Sequence, residues 1–212
     1  MMALPKALRR RAPDAWRNSA RLRPIALRAG LVPPRTMHSP SESALLRELA
    51  SGRRHALEIG VYEGSSALVL IDALPQGARL DLVEPFGAGM DWWQPADERA
   101  VRALVSRAAR RRGGPSLRWH VTTSEEAARE WSEPLDLVFI DGDHSEPACR
   151  LDWRLWSRFV EPGGVVAFHD ARGGDPGPTA VVEELFGGDG TPGWRIVAQQ
   201  ETIVAVERLE IR

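Results

Sequence analysis

The stretch "LDLVFIDGDHSEPACRLDWRLWSRFVEPGGVVAFHD" (residues 135–170) decides the fold. Its two ends, residues 135–141 and 163–170, are apolar runs of strand length, and residues 146–160 between them have apolar side chains at helical spacing. Such a strand–helix–strand unit places its two strands parallel in one sheet. Both runs end in carboxylate and imidazole groups, which the carboxyl ends of neighbouring strands bring to one rim of the sheet.

The alternation of strands and helices continues on both sides of this unit. Further strands are predicted at residues 55–60, 78–85 and 116–122, and further helices at 65–74, 95–111, 124–131 and 178–186. The last two strand-like runs, 194–200 and 202–210, almost touch, which permits only an antiparallel hairpin. We therefore predict an α/β fold with a Rossmann-like, doubly wound, mostly parallel seven-stranded sheet that a C-terminal antiparallel hairpin closes.

Charge divides the chain into two parts. Residues 1–36 carry nine basic residues against Asp14 alone, a net charge of +8, which leaves −9 for the remainder of a chain whose total is −1. We predict a basic, helical N-terminal extension (1–36) before the main domain (37–212), and we expect it to act in substrate binding or assembly rather than in the core. The overall charge argues against a nucleic-acid partner.

The start of the main domain has a helix signal. In "HSPSESALLRELA", Ser39 is the predicted N-cap, Pro40 occupies the first helical position, and Glu42 completes a capping box.

The cysteine count and the hydropathy of the chain indicate its cellular location. The single cysteine, Cys149, excludes an intrachain disulfide, and no run of about 18 apolar residues exists to span a membrane. We expect a cytoplasmic protein.

Residues after the first three predicted strands point to a nucleoside cofactor. In "EIGVYEGSS" the pattern Glu58-x-Gly60-x-x-x-Gly64 precedes a helix, whose N-terminus favours an anionic group. Glu84 ends the second strand, where a carboxylate can accept both hydroxyl hydrogens of a ribose, and Ser124 follows the third strand, near the expected adenine edge. This spacing is not the G-x-G-x-x-G of dinucleotide sites, and it is typical of S-adenosylmethionine (SAM) enzymes.

The segment quoted first resembles the class I SAM-dependent methyltransferases. It is most similar to the bacterial small-molecule O-methyltransferases of the macrolide-sugar and aminocoumarin-sugar type. The shared features are "FIDGDHS", Asp152 and Trp156 on the next helix, Pro162-Gly163-Gly164, and a strand that ends in His169-Asp170. "ALEIGVYEGSS" matches the first motif of that group, and "MHSP" (37–40) resembles its segment that closes over the cofactor.

The resemblance implies roles for the matching residues. The implied cofactor-binding positions are Met37, Glu58, Gly60, Gly64, Ser65, Glu84, Ser124 and Asp141. Asp141 and Asp170 match the carboxylates that bind Mg²⁺ in metal-dependent members, and the implied catalytic residues are His144, Asp143 and His169, with His144 as the general base. The implied reaction moves a methyl group from SAM to a hydroxyl of a small molecule such as a sugar, a phenol or a natural product.

Two departures from the group's pattern leave alternatives open. Ala171 follows the second carboxylate, where metal-dependent members carry another ligand, so the need for Mg²⁺ stays open; Glu146 replaces a frequent aromatic residue. A non-catalytic protein that binds a nucleoside cofactor and an NAD-dependent oxidoreductase are the alternative functions. Met90, Trp92 and Trp93 suit equally a substrate wall, internal packing or the contact of a homo-oligomer.

Overall fold

The computed structural model describes residues 14–87 and 96–210, so Met90, Trp92 and Trp93 lie outside the described residues. Seven strands form one sheet: β1 His55–Ile59, β2 Arg79–Val83, β3 Ser116–His120, β4 Leu135–Ile140, β5 Val160–Phe168, β6 Trp194–Gln200 and β7 Ile203–Arg208. Their order is β3-β2-β1-β4-β5-β7-β6. The first five strands are parallel, and β7 runs antiparallel to both β5 and β6, so the predicted sheet and its closing hairpin are confirmed.

The described residues also form eight helices: α1 Asp14–Asn18, α2 Leu22–Ala29, α3 Pro40–Ala50, α4 Ser65–Ala73, α5 Glu98–Arg112, α6 Ser124–Arg129, α7 Glu146–Trp156 and α8 Pro176–Phe186. Within the two described ranges, none of them is both long and apolar enough to cross a bilayer. The predicted helix 146–160 ends earlier, because a 3₁₀ turn at Ser157–Phe159 leads into β5 at Val160. The sequence did not predict the start of β5 at Val160, because residues 161–163 are exposed and interrupt the apolar pattern of the strand.

The predicted helix start before α3 is confirmed. The Ser39 side chain accepts a hydrogen bond from the backbone N–H of Glu42 (3.1 Å), and the Glu42 carboxylate accepts one from the backbone N–H of Ser39 (2.8 Å). Pro40 occupies the first turn. This capping box satisfies N–H groups that have no partner inside the helix, and it fixes where the chain enters the domain.

Helices cover both faces of the sheet. Buried side chains of α2 to α5 form one hydrophobic cluster with residues such as Leu80 and Phe139, and those of α6 to α8 form a second with residues such as Leu57 and Val138. Because side chains alternate along a strand, neighbours such as Val138 and Phe139 in β4 pack on opposite faces of the sheet. The two clusters pack against opposite faces of the strands and so place the strand ends relative to one another.

The N-terminal extension contributes to the core, which corrects our expectation. Ala26 and Leu27 of α2 and Val32 after it are each 2% exposed and belong to the first cluster. The sequence conceals which face of α2 is buried, because Arg23 lies on the inner face while the apolar Leu22 and Ile25 lie exposed on the outer one. The boundary between residues 36 and 37 stays a prediction.

Candidate active site

The site lies where the strand order reverses, between β1 and β4. From β1 the chain builds the sheet towards β3, and from β4 it builds towards β5, which leaves a crevice at the carboxyl ends of these two strands. The backbones approach closely there: the Asp141 N–H donates to the Ile59 carbonyl at 2.9 Å. A Cβ atom on Gly60 would lie 2.0 Å from the Asp141 carbonyl oxygen, so this position requires glycine.

The loop of residues 60–64, which we call the glycine loop, joins β1 to α4. Gly60 and Gly64 both have positive φ angles, +83° and +86°, which glycine adopts without strain. Ser65 begins α4 and is half-buried, so the helix N-terminus opens beside the crevice. The sequence pattern therefore corresponds to a real backbone requirement at both glycines.

Glu84 holds the glycine loop from the β2 side. One carboxylate oxygen accepts hydrogen bonds from the backbone N–H groups of Val61 (3.0 Å) and Tyr62 (2.8 Å), and the other accepts one from Phe86 (2.9 Å). Tyr62 has a φ of +49°, an unfavourable conformation that such contacts stabilise. Glu84 thus shapes the loop, and its predicted contact with a ribose stays a prediction.

Glu58 is enclosed beneath the same loop. It is 0% exposed and accepts a hydrogen bond from the Ser66 hydroxyl. Burial raises the pKa of Glu58 to about 8, with Asp141 and Glu84 adding repulsion and the Ser66 hydrogen bond opposing the shift. The side chain is therefore largely protonated at neutral pH, and its predicted role in cofactor binding stays a prediction.

The other predicted cofactor residues lie at the edges of the crevice. Ser124 starts α6, and its oxygen accepts a hydrogen bond from Trp156 Nε1 at 2.8 Å. Burial raises the pKa of the nearby Asp152 to about 6, although a hydrogen bond from Ser124 lowers it. The Ser124 hydroxyl hydrogen is therefore engaged by Asp152, and the predicted contact of Ser124 with an adenine stays a prediction. Met37 is 61% exposed.

Four predicted residues converge at the ends of β4 and β5. His169 Nδ1 lies 3.0 Å from an Asp141 oxygen and 3.2 Å from an Asp170 oxygen. His144 Nε2 lies 3.4 Å from the same Asp141 oxygen, and its Nδ1 lies 3.4 Å from Asp170 and 3.5 Å from Asp175. We call Asp141, His144, His169 and Asp170 the rim cluster.

Opposite charges stabilise the rim cluster. Burial would lower the pKa of His169, but Asp141 and Asp170 outweigh it and raise that pKa to about 10. The hydrogen bond to Asp141 raises the pKa of His144 against its burial. Burial would raise the pKa of Asp141, but the two histidines keep it below its usual value. The site therefore pairs carboxylates with the imidazolium of His169.

The rim cluster also contains donors for a metal. Asp141, His144 and His169 each offer one ligand atom, and these atoms all lie within 4.8 Å of one another. In the described part of the chain, neither ring nitrogen of the buried His169 has an aligned hydrogen-bond partner. Asp170 touches both imidazoles without joining that group, and Ala171 is 2% exposed and offers no donor.

Asp143 has a local structural role. It is exposed, and its side chain accepts a hydrogen bond from the Ser145 N–H at 2.8 Å, just before α7. This contact organises the turn that leads into the helix. A catalytic role for Asp143 stays a prediction.

Three residues of the site were missed by sequence reasoning. Glu63 in the glycine loop is buried and paired with basic residues of the N-terminal extension. Glu42 is 3% exposed, accepts hydrogen bonds from the N–H (3.0 Å) and hydroxyl of Thr202, and lies 3.9 Å from His169. Their partners are up to 160 residues away, so no local pattern signals them.

His38 is the third missed residue. Its Nδ1 lies 2.7 Å from the Ser43 oxygen, and the Ser43 hydroxyl donates to the Ser39 carbonyl at 2.8 Å. The Ser43 oxygen must therefore accept, so Nδ1 carries the hydrogen and Nε2 keeps its lone pair. Burial lowers the pKa of His38, against the attraction of Asp141 at the rim. The resemblance of "MHSP" (37–40), which contains His38, is the sequence signal that pointed to this segment.

Comparison with known proteins agrees with this geometry. A family model described as a methyltransferase domain matches residues 57–171, more than half of the chain. Among solved structures, an O-methyltransferase from Bacillus cereus in complex with SAH is 21% identical, with a TM-score of 0.61, 90% of this chain covered and 91% of that one. The O-methyltransferase TomG from Streptomyces achromogenes, involved in tomaymycin synthesis and solved with SAM, is 20% identical, with a TM-score of 0.60 and 91% of both chains covered.

The fold also occurs in enzymes with other acceptors. An rRNA methylase from Streptococcus thermophilus is 15% identical, with a TM-score of 0.55, 83% of this chain covered and 100% of that one. Similarity at this level defines the fold and leaves the acceptor to the residues of the site. On the family model and the crevice geometry together, the chain belongs to the methyltransferase-domain family.

Proposed function

We propose that this methyltransferase transfers the methyl group of SAM to a hydroxyl of a small molecule and that His144 accepts the hydroxyl proton. One observation carries the proposal: the rim cluster begins at Asp141, whose backbone contacts Gly60 of the glycine loop. A base and a cofactor loop are thereby adjacent at one crevice. Similar structures that hold SAM or SAH support the choice of cofactor.

The reaction is an in-line displacement. The acceptor oxygen attacks the methyl carbon, the bond from that carbon to sulfur breaks, and S-adenosylhomocysteine (SAH) leaves. The hydroxyl proton passes to a ring nitrogen of His144. The positive charge lost at the sulfonium therefore reappears as this proton. The protein contributes chiefly alignment, which lowers the barrier by about 7–11 kcal/mol in well-oriented cases.

His144 must be neutral to accept the proton. Its pKa is raised by Asp141, so the enzyme needs a pH above the ordinary histidine value for full activity. His169, with its pKa near 10, stays protonated and balances the carboxylates. We therefore assign base and charge-balancing roles to different histidines, although both were candidates from sequence.

Asp141 and Asp170 are the proposed ligands for weakly bound Mg²⁺. Magnesium commonly uses one or two carboxylates and keeps several waters, and these two carboxylates both lie within 3.2 Å of His169 Nδ1. The missing donor at Ala171 favours weak binding. Bound Mg²⁺ would supply Lewis acidity to an acceptor hydroxyl.

The proposed acceptor is a sugar, a phenol or a natural product rather than nucleic acid, because the main domain is acidic. TomG, a similar structure involved in tomaymycin synthesis, supports a natural-product acceptor. We propose a cytoplasmic location, consistent with a single, buried cysteine.

The test measures SAH release with panels of sugars, phenols and natural products, and with RNA as a separate arm. We expect turnover with a small hydroxyl compound, loss of activity in His144→Ala, and partial loss in EDTA that Mg²⁺ restores. Full activity in EDTA would contradict a role for Mg²⁺, and an active His144→Ala variant would contradict the role of His144 as base. Binding of SAH without turnover on any acceptor would favour the non-catalytic alternative.

A further inference from the structure

The glycine loop contains a buried carboxylate that the proposed reaction does not use. Glu63 lies between Gly60 and Gly64, and it is 4% exposed. A carboxylate removed from water is costly unless it is paired and hydrogen-bonded. The loop therefore depends on groups that neutralise Glu63.

Arg23 of α2 provides that charge from the N-terminal extension. Its Nε donates to one Glu63 oxygen at 2.6 Å, and its Nη2 donates to the other. Arg23 is itself 6% exposed, and its remaining N–H groups donate to the carbonyls of Arg17 (3.0 Å) and Pro33 (3.2 Å). One guanidinium thus joins the end of α1, the segment after α2 and the glycine loop in a planar, paired geometry.

A second arginine of the extension completes the attachment. The Arg35 backbone N–H donates to Glu63 at 2.6 Å, and the Arg35 Nη1 lies 3.1 Å from both Glu63 and the Tyr62 hydroxyl. On the other side, Glu84 accepts hydrogen bonds from the loop N–H groups of Val61 and Tyr62. The loop is therefore held from two directions, by β2 and by the extension.

We infer that Arg23 is a positioning residue for the cofactor site, which fixes the glycine loop through Glu63 and so makes cofactor affinity depend on the N-terminal extension. The inference rests on the proposed use of SAM at this loop. It gives the basic extension a role that its charge alone did not indicate.

The physical reason is preorganisation. Tyr62 holds a positive φ, and such a conformation persists only where its surroundings enforce it. If the attachment to Arg23 is lost, the loop relaxes, and the ligand must supply the free energy that orders it again. The apparent affinity is then the intrinsic affinity multiplied by the fraction of molecules whose loop remains in the binding conformation.

The experiment compares SAH binding by calorimetry in four full-length proteins: the wild type, Arg23→Met, the double variant Arg23→Met with Glu63→Met, and Arg79→Met. The double variant removes both buried charges, which often leaves stability intact. Arg79→Met is the matched control, since Arg79 pairs with the buried Asp81 at 2.7 Å near the start of β2, at the opposite end of the sheet from the loop. All measurements are made below the unfolding transition of every variant.

We expect SAH affinity to fall on the order of tenfold in Arg23→Met and in the double variant. Amide exchange at Tyr62 should accelerate in both, and Arg79→Met should retain wild-type affinity even where its melting temperature drops. Wild-type affinity in the folded double variant would overturn the inference, as would an equal loss in Arg79→Met. Absence of SAH binding in the wild type is a separate outcome, which would overturn the proposed function and this inference with it.

Discussion

Two glutamates next to the glycine loop have opposite surroundings, and their chemistry follows from that difference. Glu84 is half-buried, and its oxygens accept three backbone N–H groups, so its charge is useful to the loop. Glu58 is fully enclosed with one hydroxyl donor, so its charge is costly there. Burial with a single donor therefore raises the pKa of Glu58, whereas Glu84 serves the loop as a hydrogen-bond acceptor.

The first prediction concerns Glu84→Ala. Removing this carboxylate frees the N–H groups of Val61 and Tyr62 and deletes the proposed ribose acceptor. Calorimetry should show SAH binding weakened by about 1–3 kcal/mol, the scale for hydrogen bonds to charged groups. Glu133→Ala, which removes a carboxylate paired with Arg79 away from the loop, serves as the control and should bind normally. Equal binding in both variants would remove Glu84 from the cofactor site.

The second prediction is a pH effect of Glu58. Burial raises its pKa from the ordinary value of 4.5 to about 8. The folded state thus holds this proton more tightly, so its stabilising contribution is complete below about pH 4.5 and is lost as the pH rises through 8. Glu58→Gln cannot titrate. The free energy of unfolding of the wild type, measured by urea relative to Glu58→Gln, should decrease over this range, and a constant difference would contradict the raised pKa.

At the scale of elements, local patterns predicted most of the sheet and helices. The capping box at Ser39 and the two glycines are short-range signals, because their partners lie within a few residues or in the backbone itself. The rim cluster was predicted because parallel strands align their carboxyl ends, which topology alone dictates. The end of α7 and the start of β5 were not predicted, since the turn residues and the exposed residues 161–163 interrupt the apolar pattern.

Contacts between distant segments were beyond a sequence prediction. Arg23 and Glu63 are 40 residues apart, and Glu42 and Thr202 are 160 apart. In isolation each residue resembles an ordinary charged or polar residue of a helix or loop. Only the packing of the elements shows that these side chains are buried together.

The third prediction concerns the turn between β6 and β7, which is attached to α3. The Thr202 hydroxyl donates to the buried Glu42, so Thr202→Val removes one hydrogen bond to a charge and should lower the free energy of unfolding by about 1.5–3 kcal/mol. Ser41→Ala is the control, because its hydroxyl contacts Glu201 of the same turn at an exposed site and should change stability by less than about 0.5 kcal/mol. Urea denaturation measures the free energy of unfolding of both variants. An unchanged value in Thr202→Val would contradict the attachment of the turn to α3.

At the scale of the whole molecule, the site is assembled from segments of nearly the entire described chain. The extension, the glycine loop, the ends of β2, β4 and β5, and the turn after β6 all contribute side chains. A crevice built this way depends on the cooperative fold of the domain rather than on any single motif. Loss of one distant segment should therefore affect both stability and binding.

The last prediction is that a chain beginning at residue 37 will not fold stably. Deleting residues 1–36 removes Leu27 and Val32 from the core, and the burial of each side chain stabilises the fold by about 1.5–3 kcal/mol. It also leaves Glu63 without Arg23, and breaking a buried ion pair costs about 3–5 kcal/mol. Together these losses approach the total stability of a typical domain, about 5–15 kcal/mol.

A chain beginning at residue 14 is the reference for that deletion, because it retains Arg23, Leu27 and Val32 together with both helices of the extension. Circular dichroism melts and size-exclusion chromatography of the two truncated chains provide the comparison. We expect aggregation or a strongly lowered melting temperature for the shorter chain. If it instead melts cooperatively at the temperature of the reference, the extension is dispensable for the core, and the buried contacts of α2 contribute far less free energy than their burial implies.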